Sequence, residues 1–245
     1  ELPALITLED IRGDLQTHTT ASDGRSTLEE MAQAAQAQGY AYLAITDHSP
    51  HIGVTQGLDA EALAKRIEEI DRLNDELDDL RLLRSIEVDI LEDGTLDLPD
   101  DILAKLDLRI CAIHSHFDLP REKQTERIIR AMDNPNFNIM AHPTGRRIGG
   151  REPYDMDMER VMQAALERGC FLEINAQPER LDINDIYARR AKEVGLKLAI
   201  STDAHHVGGL AAMRFGVAQA RRGWLEAEDV LNTRPWEALK ALLKR

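Results

Sequence analysis

Asp14-Leu15-Gln16-Thr17-His18-Thr19-Thr20-Ala21-Ser22-Asp23-Gly24 sets a short apolar approach against a turn crowded with imidazole, hydroxyl and carboxylate groups. The same order, an apolar run and then a polar cluster, recurs at 40–48, 81–89, 106–114, 137–142, 170–175 and 196–205. Each run is short and aliphatic, as a buried strand is. Helical patterns lie between them. Ser26-Thr27-Leu28-Glu29 has the spacing of a capping box and opens a helix to Gln38, with Gly39 as its terminator. Leu63, Ile67, Ile70, Leu73 and Leu77 are spaced by threes and fours and predict a long amphipathic helix. Residues 125–132, 156–168 and 183–194 also read as helices, and Pro235 opens a short last one. About seven strands alternating with helices predict a parallel α/β sheet or barrel. The polar clusters then fall at the carboxyl ends of strands, the rim on which barrels build their sites.

No Pro/Gly/Ser-rich linker divides the 245 residues, so a lead-in over 1–12 and one domain over 13–245 are expected. With 43% hydrophobic but 4% aromatic residues, the core should be aliphatic. Lysine and arginine number 30 against 44 acidic residues, and the net charge of −14 argues against non-specific wrapping of nucleic acid. Glu68, Glu69, Asp71, Asp75, Glu76, Asp78 and Asp79 concentrate that acid on one expected solvated helix face, leaving room for a basic patch elsewhere. Cys111 and Cys170 sit in apolar runs and read as small buried hydrophobes. No run reaches the ~20 apolar residues of a membrane span, and no signal segment is seen. A cytoplasmic monomer is the expectation, and the start at Glu1 without Met reads as the edge of an excised domain.

His18, Asp23, His48, Glu87, His114, His142, Asp203 and His205 are the candidate metal ligands. Singly, each has an ordinary alternative: a hydrogen-bonded or surface histidine, a common Asp-Gly turn. Asp47 could be a turn former or a carboxylate supporting a ligand. Together they are harder to dismiss, because five of the eight histidines and three carboxylates stand at strand ends. Imidazole with carboxylate and no thiolate suits zinc, manganese or iron in a working site rather than a structural zinc. The set exceeds what one tetrahedral ion needs, so two or three ions are implied, with Glu87 able to bridge two. His51, His116 and His206 flank these clusters and read as supporting or surface residues.

Asp14-Leu15-Gln16-Thr17-His18, Ser22-Asp23-Gly24, Thr46-Asp47-His48, Glu87, His114, Ala141-His142-Pro143 and Ser201-Thr202-Asp203-Ala204-His205 together resemble the signature of PHP (polymerase and histidinol phosphatase) phosphoesterases. The resemblance implies a distorted, TIM-like (β/α)7 barrel with a trinuclear site of nine ligands. Eight of those positions match, and Gln16 stands where the first histidine would be. It further implies that His18, Glu87 and Asp203, with Gln16, hold one ion, that Glu87, His114 and His142 hold a second, and that Asp23, His48 and His205 hold a third. On this reading His18, Glu87, His142, Asp203 and His205 carry catalysis. The ions would be Mn2+ or Zn2+, with Mg2+ or Fe2+ as alternatives. Because an amide oxygen is a harder and poorer donor than imidazole, Gln16 is expected to weaken one site, for zinc most of all.

A finer resemblance spans nearly the whole chain. Ile86-Glu87-Val88-Asp89-Ile90, Asp93-Gly94-Thr95-Leu96-Asp97, His142-Pro143-Thr144-Gly145-Arg146, Leu172-Glu173-Ile174-Asn175, Arg180-Leu181-Asp182 and Ala220-Arg221-Arg222-Gly223-Trp224 are similar to the C-terminal PHP domain of bacterial family X DNA polymerases. Leu8-Glu9-Asp10-Ile11-Arg12-Gly13-Asp14 resembles the join to the polymerase portion, which would be the partner within the same protein. The implied function is 3′→5′ exonuclease and 3′-end processing in DNA repair, by a metal-activated hydroxide. Arg146, Arg147 and Arg151, in one Gly-rich loop after His142, and Arg180 are candidates to hold substrate phosphates. Arg221 and Arg222 read as helix-surface charge or a DNA contact. Two alternatives stand beside this: a free-standing small-molecule phosphatase of the histidinol phosphatase kind, and a partly decayed domain kept as a docking module.

Overall fold

The computed structural model describes residues 3–52 and 56–245. Seven strands form one parallel sheet in sequence order: β1 (Gly13–Thr17), β2 (Tyr42–Ile45), β3 (Arg81–Asp89), β4 (Leu108–Ala112), β5 (Ile139–Met140), β6 (Phe171–Asn175) and β7 (Leu198–Ser201). Between and after them lie α1 (Leu28–Ala37), α2 (Ala60–Asn74), α3 (Asp100–Leu103), α4 (Arg121–Met132), α5 (Met158–Arg168), α6 (Asp185–Val194), α7 (Met213–Arg222) and α8 (Trp236–Leu243). The architecture is the expected TIM-like (β/α)7 barrel.

Two apolar cores explain why these strands are buried on both faces. The outer core packs aliphatic residues such as Leu43, Ile86 and Leu172 against the helices. The inner core is carried by alternate strand positions, Leu15, Tyr42, Leu83, Ile110, Ile139 and Phe171, and is plugged from below by Trp236 and Leu239 of α8. Alternation then places polar side chains above this plug, where β3 contributes Glu87 and β6 contributes Glu173. Cys111 and Cys170 are both buried and free.

The ring closes without a full ladder between β1 and β7. His18 N–H donates to Ala204 O at 2.8 Å at the top of the seam. Below it, the fully buried Asn232 acts as an insert. Its Nδ2 donates to Gly13 O and Ile200 O, both at 2.8 Å, and its Oδ1 accepts from Ile200 N at 3.0 Å. β1 also carries a bulge: Asp14 pairs with Leu43 but Thr17 with Ile45, so one residue is extra. The extra residue inverts the alternation, which is how Leu15 can lie in the inner plug while His18 also faces the interior.

Two local expectations are corrected. The capping box is Thr27 with Glu30, one residue later than the Ser26–Glu29 spacing: Thr27 N donates to Glu30 Oε2 at 2.8 Å and Glu30 N to Thr27 Oγ1 at 3.2 Å. Ser26 is instead taken up by its backbone carbonyl and hydroxyl, which accept from Thr20 N and Val207 N. The second long helix begins at Ala60, because Asp59 caps it through Ala62 N at 2.8 Å. It stops at Asn74, whose amide is turned onto the Leu82 backbone, so Asp75, Glu76, Asp78 and Asp79 lie beyond it, although exposed as expected.

Candidate metal centre

The eight histidine and carboxylate candidates converge at the carboxyl ends of the strands. Glu87, 1% exposed, is their centre. Its Oε1 lies 3.0 Å from His142 Nε2 and 3.5 Å from His114 Nε2. Its Oε2 lies 3.2 Å from His48 Nδ1 and 3.4 Å from His18 Nε2. Asp23 forms a second focus, with Oδ2 at 3.1 Å from His205 Nε2 and 3.4 Å from His48 Nε2, and Oδ1 at 3.6 Å from His18 Nδ1. Asp203 Oδ1 reaches His18 Nε2 at 3.1 Å. The imidazoles crowd one another, His18 and His205 stacking with centroids 4.2 Å apart.

The donors that lie within 4.8 Å of one another fall into two groups, His18, Asp23, His48 and His205, and His48, Glu87 and His114. They overlap the ion assignments implied by resemblance without reproducing them: His48 stands between both groups. Among the described residues, both amide atoms of Gln16, both ring nitrogens of His18 and Nδ1 of His48 are buried with no hydrogen-bond partner. Buried polar atoms are rarely left so. A patch of them among carboxylates, in a donor set of nitrogen and oxygen alone, fits divalent cations.

Electrostatics show the same pull. Burial alone would raise the Glu87 pKa, but His48, His142 and His114 hold it well below the carboxylate range. Asp23 and Asp203 are likewise held low against their burial, by His205 and His48 for the first and by His18 for the second. Burial would lower His48, yet Glu87 and Asp23 carry it up to about 9. His205, also against its burial, is raised to about 9 by Asp23 and Asp203. His142 goes the other way, to about 4, through burial and the nearby Arg180. With no ion bound, the cluster is therefore a knot of carboxylates and imidazolium.

Outer residues fix the inner ones. Asp89 contacts His114 Nδ1 and so aims Nε2 at Glu87. Glu173 Oε2 accepts His142 N at 2.7 Å, and Asn175 Nδ2 donates to Asp203 Oδ2 at 3.0 Å. Asp14 holds the seam beside Gln16, accepting from Gln16 N at 3.3 Å and Thr202 N at 3.0 Å. Asp47 is the carboxylate that supports the first loop: it accepts from Thr19 N, Thr19 Oγ1 and Ser22 Oγ, each at 2.8 Å, and pairs with the buried Arg66 at 3.1 Å. Gly24 is required in that loop, since a Cβ would come 2.7 Å from the His18 backbone. His142 and Asp203 both have positive φ, 29° and 52°, a conformation that functional sites retain at a cost.

The cluster floors a cleft of about 740 Å³. Arg147, Arg151 and Arg180 line it, but Arg146 does not. Arg146 instead donates through Nε to Arg180 O at 2.7 Å and through Nη2 to Leu181 O, so it braces the loop that carries Arg180. Arg180 Nε is 3.8 Å from Asp203 Oδ2, and its Nη1 is buried without a partner. Arg147 pairs with Glu179 at 3.0 Å. His206 lines the cleft, whereas His51 and His116 are exposed. Among the lining residues that escaped the sequence reading are Arg25, Phe117 and Gln177. Arg25 adjoins Asp23-Gly24, and that adjacency was a usable signal; Phe117 and Gln177 had none.

A (β/α)7 barrel whose rim joins five histidines to three carboxylates carries the donor set of a metal site. Residues 14–177 match the PHP domain family, and the chain belongs to it. It is 45% identical over 241 residues to the DNA polymerase/3′-5′ exonuclease PolX of Bacillus subtilis (strain 168), covering 98% of this chain and 42% of that protein. The chain thus spans less than half of that relative's length. It is 32% identical over 235 residues to a protein named Probable phosphatase of Thermoanaerobacter sp. (strain X514), covering 90% of this chain and 89% of the relative. In fold it is similar to the histidinol phosphate phosphatase of Lactococcus lactis, solved with zinc, L-histidinol and phosphate (TM-score 0.61, 17% identity, 85% and 93% of the two chains). Among the described residues, no helix is long and apolar enough to cross a membrane.

Proposed function

We propose that this chain is a divalent-metal-dependent phosphoesterase that hydrolyses phosphodiesters at DNA 3′ ends in the 3′→5′ direction. The observation that carries the reading is Glu87, whose two oxygens are shared among four imidazoles at 3.0–3.5 Å. Divalent ions held by this cluster, manganese or zinc foremost, supply Lewis acidity at the phosphoryl group and lower the pKa of water. The chain's own groups do the rest. Asp89 and Glu173 hold His114 and His142 in place, and Gly24 and Asp47 set the loop that presents Asp23. Arg180, with a free buried nitrogen beside Asp203, neutralises the phosphate, and Arg147 and Arg151 extend the positive wall along the strand. Three arginines lining one cleft suit a polyanion better than a single phosphomonoester, and the similarity to PolX supports DNA as the polyanion. On this reading residues 1–12 connect to a polymerase portion.

A second reading is a small-molecule phosphatase, favoured by the end-to-end similarity to the Thermoanaerobacter relative. The retained donors speak against a decayed, purely structural domain. The deciding experiment supplies manganese to the purified protein with a 5′-labelled single strand and, separately, histidinol phosphate. Stepwise shortening of the strand, lost in His142→Ala, is expected. Absence of manganese-stimulated cleavage, with His142→Ala indistinguishable, overturns the proposal; hydrolysis of histidinol phosphate alone moves it to the second reading.

A further inference from the structure

One wall of the cleft is built as a stack. The buried Tyr154 ring lies under Phe117 with centroids 6.2 Å apart and planes tilted by 24°. The Arg151 guanidinium carbon lies over the Phe117 ring, 3.9 Å from its centroid. Both ends are pinned. Tyr154 donates to Pro143 O at 2.5 Å, and Arg151 Nε donates to Gly145 O at 2.8 Å. Gly145 itself is in the left-handed region (φ +64°), with no room for a Cβ against Tyr154. Phe117 and Arg151 line the same cleft as His114 and His142.

We propose that Arg151 is the top layer of a platform on which a nucleobase of the substrate stacks while its phosphate lies over the metal cluster. A guanidinium has two flat, weakly hydrated faces. Arg151 rests over the Phe117 ring, and both residues line the cleft. Nucleobases stack on such planes irrespective of sequence. With Nε held by Gly145 O, the terminal nitrogens of Arg151 are the ones that would meet phosphate; the face is the added element. Its near neighbours Arg147 and Arg180 already supply charge at this wall, so what distinguishes Arg151 is its seat over the Phe117 ring. The inference rests on the phosphoesterase reading and narrows its substrate to nucleotides.

The test measures binding by calorimetry to manganese-loaded protein, comparing thymidine 5′-monophosphate with deoxyribose 5-phosphate. Wild type should prefer the nucleotide by about tenfold or more. In Arg151→Lys, which keeps the charge and removes the plane, that preference should collapse to within about twofold. Phe117→Leu, which removes the ring beneath, should also reduce it, and serves if the first variant misfolds. Equal binding of both ligands by wild type, or an unchanged preference in Arg151→Lys, overturns the platform. A nucleotide preference without any diester cleavage sinks the exonuclease reading and leaves the platform standing. Diester cleavage with equal binding does the reverse.

Discussion

Glu87 Oε1 and His142 Nε2 meet at 3.0 Å, joining the third strand to the turn after the fifth in the interior of the rim. Because Glu87 also faces three other imidazoles, its loss should be felt at more than one ion. Glu87→Gln is expected to lower the number of manganese ions bound per chain, read by elemental analysis after dialysis, and to abolish hydrolysis. Full occupancy in the variant would show that Glu87 is not a shared ligand. Asp89→Ala, which only releases the His114 ring, should cost about 10–100-fold in metal affinity with the fold intact.

Gln16 has two buried amide atoms with no partner among the described residues, and on the proposed reading it holds a ligand position where imidazole would bind more tightly. Gln16→His should therefore raise zinc affinity more than manganese affinity. Competition titrations with a chromophoric chelator would detect it, and identical affinities for both ions would remove Gln16 from the ligand set.

The two raised histidines give opposite pH trends with and without metal. His48 and His205 titrate near 6.5 when unfolded and at about 9 in the folded, metal-free protein. Their stabilisation is complete below about 6.5 and is lost as pH rises through about 9. Divalent ions require the neutral rings, so their affinity climbs over the same interval. The Tm in chelator should fall between pH 6.5 and 9 while the Tm increment from manganese grows. An increment that shrinks with pH would contradict this arrangement.

Arg66→Met should destabilise the fold by about 3 kcal/mol in urea unfolding, because it leaves the carboxylate of Asp47, 1% exposed, without its guanidinium partner. The loop bearing Asp23 would loosen with it, lowering metal affinity in step. A change below about 0.5 kcal/mol, the usual size for surface sites, would show the pair to be incidental.

Much of this molecule is legible in one dimension, for a physical reason. In a parallel barrel every active side chain follows an aliphatic run, so His18, His48, His114, His142 and His205 announce themselves by position. Features made by approach across the barrel leave no such trace. Arg146 looked like a phosphate ligand because of its place in a basic loop, yet its guanidinium is spent on the carbonyls of Arg180 and Leu181. Phe117 and Arg151 are far apart in the chain and meet only because the loops after β4 and β5 lean together. Ser26 satisfied a capping pattern but was drawn away by the ligand loop, and Thr27 took the role. Local periodicity locates the elements; competition for hydrogen bonds among distant segments decides the rest.

The Asn232 seam has a consequence for how the protein is born. It ties Gly13 to a residue 219 positions later, and the rim just above it spans Asp23 and His205, 182 positions apart. Contacts of such span form slowly and late. A nascent chain still short of Asn232 presents an open edge on its first strand and unanswered carbonyls at Gly13 and Ile200. The cluster is whole only after the loop of Asp23 has met that of His205, so on the proposed reading uptake of a divalent ion would report that the barrel has closed.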